Sequence, residues 1–311
     1  MTRFLAVADG WRAVPEMVGK ALRATRPAHY PLIASDGQRH FPLDWRELAR
    51  PSGADGGVHV GTGSIQYLHP VATCFNLIAR AQSARLSQTE TQFEAIQAGL
   101  HALLQAQGAD GSFRYPVPVP RYGLQPGWSS ALAQGLFVAA VSETVDRLNA
   151  SDRGRAYDAV GAAVDHMMTP VDKGGCTVTD ELGIFLEECP KDKPPYILNG
   201  AALAVIGLSC SSDASHRMIA DEAAESLARR MGAWDLGYWS RYDLQDPSPS
   251  SPDYHALHVS VIRALDGRFP DAGFDEWAIR FADQASSPVN RGRALGSLAV
   301  RRVLDVARGR R

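Results

Sequence analysis

From about Tyr67 to Val306 the apolar residues return at the spacing of an α-helix, and this periodicity constrains the fold more than any other feature of the sequence. Phe93, Ile96, Leu100, Leu103 and Leu104 form one stripe, stopped by Gly108-Ala109-Asp110-Gly111. Leu132, Leu136, Ala139, Val145 and Leu148 form the next, and Tyr157, Val160, Val164 and Met167 a third that ends at Pro170. Further stripes run through 198–208, 218–231, 254–265, 274–281 and 294–306. Helices of roughly 12–20 residues joined by longer loops predict helical hairpins packed side by side. No strict repeat period is present, which argues against a solenoid.

Residues 1–60 read differently. Pro27, Pro31, Pro42 and Pro51, with Gly53, Gly56 and Gly57, interrupt the chain too often for long helices. They predict an N-terminal extension, with a short helix near Arg12 to Leu22, packed on a main body of residues 61–311. Apolar residues make up 45% and charged residues 21%, a globular balance, and the formal charge of −2 lacks the basic footprint of a nucleic-acid binder. No apolar run reaches the length of a membrane span, and the first residues, with Asp9 and Glu16, do not form a signal peptide. Cys74, Cys176, Cys189 and Cys210 have no CxxC spacing, which fits a reducing, cytoplasmic setting.

Two stretches break the helical rhythm. Between Cys176 and Glu188 apolar residues alternate, and between Gly237 and Leu244 aromatics do the same, so both predict short strands or extended loops. Along a regular strand Leu182, Ile184, Leu186 and Glu188 share one face, with Glu187 on the other. A carboxylate that continues an apolar face loses hydration, so Glu188 is expected to carry a raised pKa and to serve as a base near neutral pH. If the strand ends at Leu186, both glutamates are instead solvated.

Tyr196, Trp234, Tyr238, Trp239, Tyr242 and Tyr254 concentrate aromatic rings in the second half. Sugar rings present apolar C–H faces, so such rings suit a saccharide cleft, although each taken singly also suits a core. His255 and His258 share a helical face but have no third ligand, and no metal site is assigned. Gly61-Thr62-Gly63 is too short for a phosphate loop, and Ser129-Ser130 lacks the setting of a hydrolase nucleophile.

Five segments occur in a telling order: Gly127-Trp128-Ser129-Ser130-Ala131-Leu132-Ala133-Gln134-Gly135, Glu187-Glu188-Cys189-Pro190, Tyr196-Ile197-Leu198-Asn199-Gly200, Tyr242-Asp243-Leu244 and Asp253-Tyr254-His255-Ala256-Leu257-His258. Together they resemble the C-terminal catalytic domain of the D-glucuronyl C5-epimerases, over roughly residues 60–270, with weaker support from 67–79 and 110–115. The resemblance implies an α/α-barrel, a toroid of helical hairpins with a few short strands at the cleft, and a homodimer. It implies conversion of D-glucuronate to L-iduronate within a polysaccharide, without cofactor. It matches the family's catalytic glutamate to Glu188 and its two key tyrosines to Tyr242 and Tyr254. The family's Glu-Glu-Tyr-Pro has Cys189 in place of the tyrosine here.

The chemistry implied is proton removal from C5, α to the substrate carboxylate, by a base on one face and reprotonation from the other. Glu188 and Tyr254 take the two faces, and Tyr242 bonds the developing charge. Arg241 or Arg114 would bind the substrate carboxylate, with Trp128, Gln134, Asn199 and His255 on hydroxyls and sugar faces. Two rivals remain at this stage: a polysaccharide lyase that abstracts the same proton and then expels the C4 oxygen, and a non-catalytic glycan-binding protein.

Overall fold

A computed structural model describes residues 32, 40–46, 50–62, 64–86 and 90–307. The short helix expected near Arg12 to Leu22 lies outside the described residues. The chain is mainly helical, 59% helix, with a few short strands. Two antiparallel hairpins, β1 (His59–Thr62) with β2 (Ile65–Leu68) and β3 (Thr177–Asp180) with β4 (Gly183–Leu186), accompany the helices. The helices are α1 (Pro70–Leu86), α2 (Glu90–Ala106), α3 (Ala131–Thr144), α4 (Ala150–Met168), α5 (Leu198–Ser209), α6 (Ala214–Arg230), α7 (Pro252–Arg268), α8 (Asp275–Ser286) and α9 (Pro288–Ala307).

The packing order follows from which helices are apolar all round. In α3 every residue but Ser142 is buried, and in α5 all are; such helices belong inside a layer of others. Accordingly α3 lies between α1 and α5, and α5 between α3 and α7, while α2, α4, α6 and α8 each back the helix before them. α3 and α5 meet through glycine. A β-carbon at Gly135 would fall 2.6 Å from the Cα and carbonyl oxygen of Ala204, and one at Gly207 would fall 2.1 Å from the Gly135 oxygen. Backbone approaches backbone there, so no side chain fits at either position.

Several sequence expectations need correction. Tyr67 and Leu68 belong to β2, and the helix begins only at Pro70, which suits the first turn because its missing N–H has no partner there anyway. Phe93, Tyr157 and Met218, all expected to face inward, are substantially exposed. The 237–244 stretch takes the loop form of the two expected for it, with isolated bridges of Asp235 to Ser240 and Arg241 to Pro249. β4 ends at Leu186, Phe185 is buried as well as Ile184 and Leu186, and Leu182 sits exposed in the turn. Strand parity therefore does not extend to the glutamates; Arg230 fastens the hairpin to α6 by a fork on Asp180 (2.6 and 2.5 Å) and a bond to the Gly183 carbonyl.

The described part of the first sixty residues packs on α1 and α3. Phe41, Leu43 and Trp45 are buried, and side chains rather than a ladder satisfy the backbone. Phe41 N donates to Glu143 Oε1, Trp45 N to Gln82 Oε1, Arg50 N to Asn76 Oδ1 and Val58 N to Thr73 Oγ1.

Candidate active site

The loop that follows β4 is fixed by Glu187. Its backbone N donates to the Cys176 carbonyl, and its own carbonyl accepts from Ala131 N at the start of α3. The Glu187 side chain turns inward, fully buried, and accepts from Cys189 N (3.1 Å) and Tyr196 N (2.8 Å). Burial lifts its pKa to about 7 against the pull of these backbone donors. Tyr196 adopts φ +53°, unusual for a residue with a side chain. Its backbone is held there from both ends, by Glu187 on the N–H and by Trp234 Nε1 on the carbonyl at 2.9 Å.

With Glu187 buried as a strut, Glu188 lies near enough to Tyr242 and Tyr254 for its charge to act on both phenols. Its Oε2 is sealed and has no hydrogen-bond partner among the described residues, although part of the side chain still meets solvent. Burial lifts its pKa to about 8, and the neighbouring Glu187 charge adds to the shift. The carboxyl lies on Gly200, in the first turn of α5. A β-carbon at that position would fall 2.2 Å from Glu188 Oε2 and 2.6 Å from Glu188 Cβ.

Three phenols surround this carboxylate. Tyr115, Tyr242 and Tyr254 are all pushed above the usual phenol range, first by burial and then by the Glu188 charge. Tyr242 and Tyr254 meet edge to face with ring centroids 4.5 Å apart. Both positions are set locally. Ser251 caps α7 by accepting from Tyr254 N, with Pro252 at the first helical position, so Tyr254 rises from the first turn. The Tyr242 carbonyl accepts from Leu198 N and Leu244 N donates to the Pro195 carbonyl, which ties this loop to the start of α5 beside Gly200.

The cation beside the phenols is Arg121. Its guanidinium lies 5.4 Å from the ring centroids of both Tyr122 and Tyr242, and its charge acts to lower the Tyr254 pKa. Asp243, fully buried, holds it at 2.6 Å and accepts from the Tyr122 hydroxyl at 2.7 Å. The resulting cleft, about 470 Å3, is lined by Arg121, Tyr122, Tyr242 and Tyr254 and continues along 246–251 to α9.

Of the residues singled out from the sequence, Glu188, Tyr242 and Tyr254 converge. Trp128 lies alongside, stacked 4.1 Å from Tyr115, its Nε1 donating to the Val117 carbonyl. Asn199 precedes Gly200 and is buried, with Oδ1 unpartnered among the described residues. Arg241 adjoins Tyr242 and is half-buried, its backbone N donating to the Trp234 carbonyl and its Nε buried with no hydrogen-bond partner among the described residues. Others are otherwise engaged. Arg114 pairs with Asp110 at 2.6 Å and donates to the Gly127 carbonyl. Gln134 is wholly buried and braces the 111–113 turn, its amide nitrogen donating to Gly111 O at 3.3 Å and its oxygen accepting from Phe113 N at 3.0 Å. His255 is stacked 3.8 Å from Trp239, its Nε2–H donating to the Phe281 carbonyl at 3.2 Å and its Nδ1 accepting from Ser240. Burial lowers its pKa to about 3, so it remains neutral. Both side chains are ties within the fold.

Sequence reasoning missed Tyr115, Arg121 and the role of Gly200. The first two lie in the Pro- and Gly-rich run from Tyr115 to Gly127, whose punctuation marks a loop, and loops between rigid elements are where functional side chains concentrate. Among the described residues no group of three or more His, Cys, Asp or Glu side chains is placed to hold a metal ion, and no described helix is long and apolar enough to cross a membrane.

Comparison with known proteins bears on this cleft directly. A family model described as D-glucuronyl C5-epimerase C-terminus matches residues 107–283, more than half of the 311-residue chain. A D-glucuronyl C5-epimerase of Caenorhabditis elegans is 27% identical over 224 residues, covering 63% of this chain and 36% of that protein. The uncharacterized protein MJ1128 of Methanocaldococcus jannaschii is 25% identical over 139 residues, 42% of this chain and 44% of the other. The chain thus spans less than half the length of either relative. The matched segment holds Arg121, Glu188, Gly200 and both phenols of the cleft, and on that match the chain belongs to the D-glucuronyl C5-epimerase C-terminal family.

Proposed function

We propose that this protein inverts C5 of a hexuronic acid, D-glucuronate to L-iduronate, within a polysaccharide chain. The observation that carries the reading is a carboxylate with its pKa lifted to about 8 beside two phenols that meet edge to face and line an open cleft. Loss of the C5 proton leaves charge on the substrate carboxylate, so an epimerase needs proton-transfer groups on both faces and a positive field at the carboxylate. Glu188 serves one face and Tyr254 the other. Tyr242, edge to face with Tyr254, would hydrogen-bond to the developing charge or assist the tyrosine side, and Arg121 supplies positive charge. The substrate's own carboxylate accepts the electron pair, so the reaction calls for no cofactor. The row of inner helices, each backed by an outer one, is the unit that an α/α-barrel repeats, and the family resemblance supports its closure and a homodimer.

Solvent exchange tests the reading. With a glucuronate polymer in deuterated water the protein incorporates label at C5, and Glu188→Gln and Tyr254→Phe lose incorporation while remaining folded. Unsaturated product with chain shortening identifies a lyase instead, and binding without exchange identifies a glycan-binding protein. Robust exchange by both variants refutes the assignment of the two groups.

A further inference from the structure

Trp128, Glu188 with Tyr196, and Tyr254 stand at or just before the first turns of the inner helices α3, α5 and α7. The row of inner helices begins with α1, and the residues in the same place there are Tyr67 and His69. Both are half-buried, and the chemistry above uses neither. Tyr67 stacks on His69 with ring centroids 6.0 Å apart, and the two meet Tyr115 edge to face at 6.4 and 5.5 Å. Tyr115 in turn stacks on Trp128, and the Glu188 charge acts on its phenol. A run of rings thus leads from Glu188 back to β2.

All but one of the polar groups of His69 are engaged. Its backbone N donates to the Val58 carbonyl at 2.8 Å, and its carbonyl accepts from Thr73 N and Thr73 Oγ1, both at 3.0 Å. Its Nδ1 accepts from Ala72 N at 3.3 Å, so the proton of the neutral ring sits on Nε2. Burial lowers the His69 pKa and the nearby Arg50 charge lowers it further, which keeps the ring in that neutral form. Among the described residues nothing accepts from Nε2, and nothing bonds the Tyr67 hydroxyl. Arg50 is tied to α1 through its backbone N, which donates to Asn76 Oδ1 at 2.8 Å. The residue is exposed, and its guanidinium has no ion-pair partner among the described residues. A free cation, a fixed N–H donor, a phenol and ring faces together suit a sugar that carries a carboxylate. A small inorganic anion has no use for the rings, and a neutral sugar has none for the guanidinium.

We propose that Arg50, Tyr67 and His69 form a second sugar subsite, which takes another uronate of the same chain while Glu188 acts on the first. This rests on the epimerase reading above and makes recognition a property of a polymer tract. Arg50 meets the carboxylate, and Tyr67 and His69 meet the ring and its hydroxyls.

Two heparosan oligosaccharides test it, one with a single glucuronate and a longer one with several. C5 deuterium incorporation gives kcat and KM, and calorimetry gives affinity, for the native protein, Arg50→Gln and Tyr67→Phe. Arg155→Gln, at an exposed position on the outer helix α4, controls for net charge. Arg50→Gln is expected to raise KM for the longer chain about ten-fold, as loss of a charge-assisted bond requires, and Tyr67→Phe to raise it less. In both, kcat stays within about two-fold of native, because the lost bonds are to a sugar that does not react. The short chain keeps its native KM in both variants, and Arg155→Gln matches the native protein on either chain. An unchanged KM for the longer chain in Arg50→Gln, an equal loss on the short chain, or an equal loss in Arg155→Gln overturns the proposal. Arg50-dependent binding of the longer chain with no C5 exchange by the native protein supports the subsite and refutes the epimerase reading. Native exchange that is indifferent to Arg50 does the reverse, and failure of the native protein to bind either chain refutes both.

Discussion

Gly200→Ala is the most exacting test of how the carboxylate is held. The added methyl falls 2.2 Å from Glu188 Oε2, and turning the carboxyl aside relieves that contact. It does not relieve the 2.6 Å approach to Glu188 Cβ, which moves only if the backbone moves. The whole residue must therefore shift by something near an ångström to restore ordinary contact. Two effects on stability oppose one another. Alanine in a helix gains about 1 kcal/mol over glycine, and overpacking costs about 1–3 kcal/mol, so the net loss is at most about 2 kcal/mol. Catalysis is affected far more, because a misplacement of about 1 Å costs on the order of a hundred-fold in rate. The assay pairs urea unfolding with C5 deuterium incorporation. Gly200→Ala is expected to unfold close to the native protein and to lose about a hundred-fold in exchange. Exchange within a few-fold of native refutes both the placement of the base on Gly200 and the role of Glu188.

Glu188 also makes stability depend on pH. Its folded pKa, raised to about 8, lies above the ordinary glutamate value, so the folded state binds the extra proton. The stability tied to that proton is fully present below about pH 4.5 and is lost as pH rises through 8. Glu188→Gln is therefore expected to be more stable than native at pH 8 by up to about 4 kcal/mol and to show no such gain at pH 4; denaturant titrations at the two pH values measure this, and a gain that does not grow with pH refutes the burial argument. Arg121→Gln is expected to lower C5 exchange by about a hundred-fold in the folded fraction and, because it leaves the buried Asp243 carboxylate without its cation, to lower the unfolding midpoint as well. His255→Ala is expected to lose about 2–4 kcal/mol of stability, while exchange by the folded fraction stays within a few-fold of native. A selective rise in KM for His255→Ala contradicts its assignment to the core.

The helical architecture was legible because α3 and α5 carry continuous apolar sequence and their neighbours carry stripes, and burial follows such patterns directly. The Gly-Trp-Ser-Ser-Ala-Leu-Ala-Gln-Gly segment was legible as a motif and not as a role. Gly135 serves a helix crossing and Gln134 braces a turn, needs that appear only once both partners are in space. Glu188 was singled out by strand parity, but β4 stops at Leu186, and its environment arises instead from a loop pinned by Glu187 and seated on Gly200. Period-two reasoning has no access to a side chain that folds back on its own backbone. His255 was misread because a helix boundary near aromatics suits a binding residue and a core residue equally. Arg121 went unread because its partners, Tyr242 and Asp243, lie more than a hundred residues away.

The glycine crossing of α3 and α5 has a bearing on how such a protein can diversify. The loop that carries Glu188 begins on the first residue of α3, through the Ala131 N–H, and ends at the start of α5, where Gly200 underlies the carboxylate. The two helices, in backbone contact, act as a gauge block that sets the height of Glu188 and has no slack to give. On the proposed reading, new polymers can be accommodated by redrafting the 115–126 and 242–251 loops, while Glu188 stays mounted on a part that admits almost no revision.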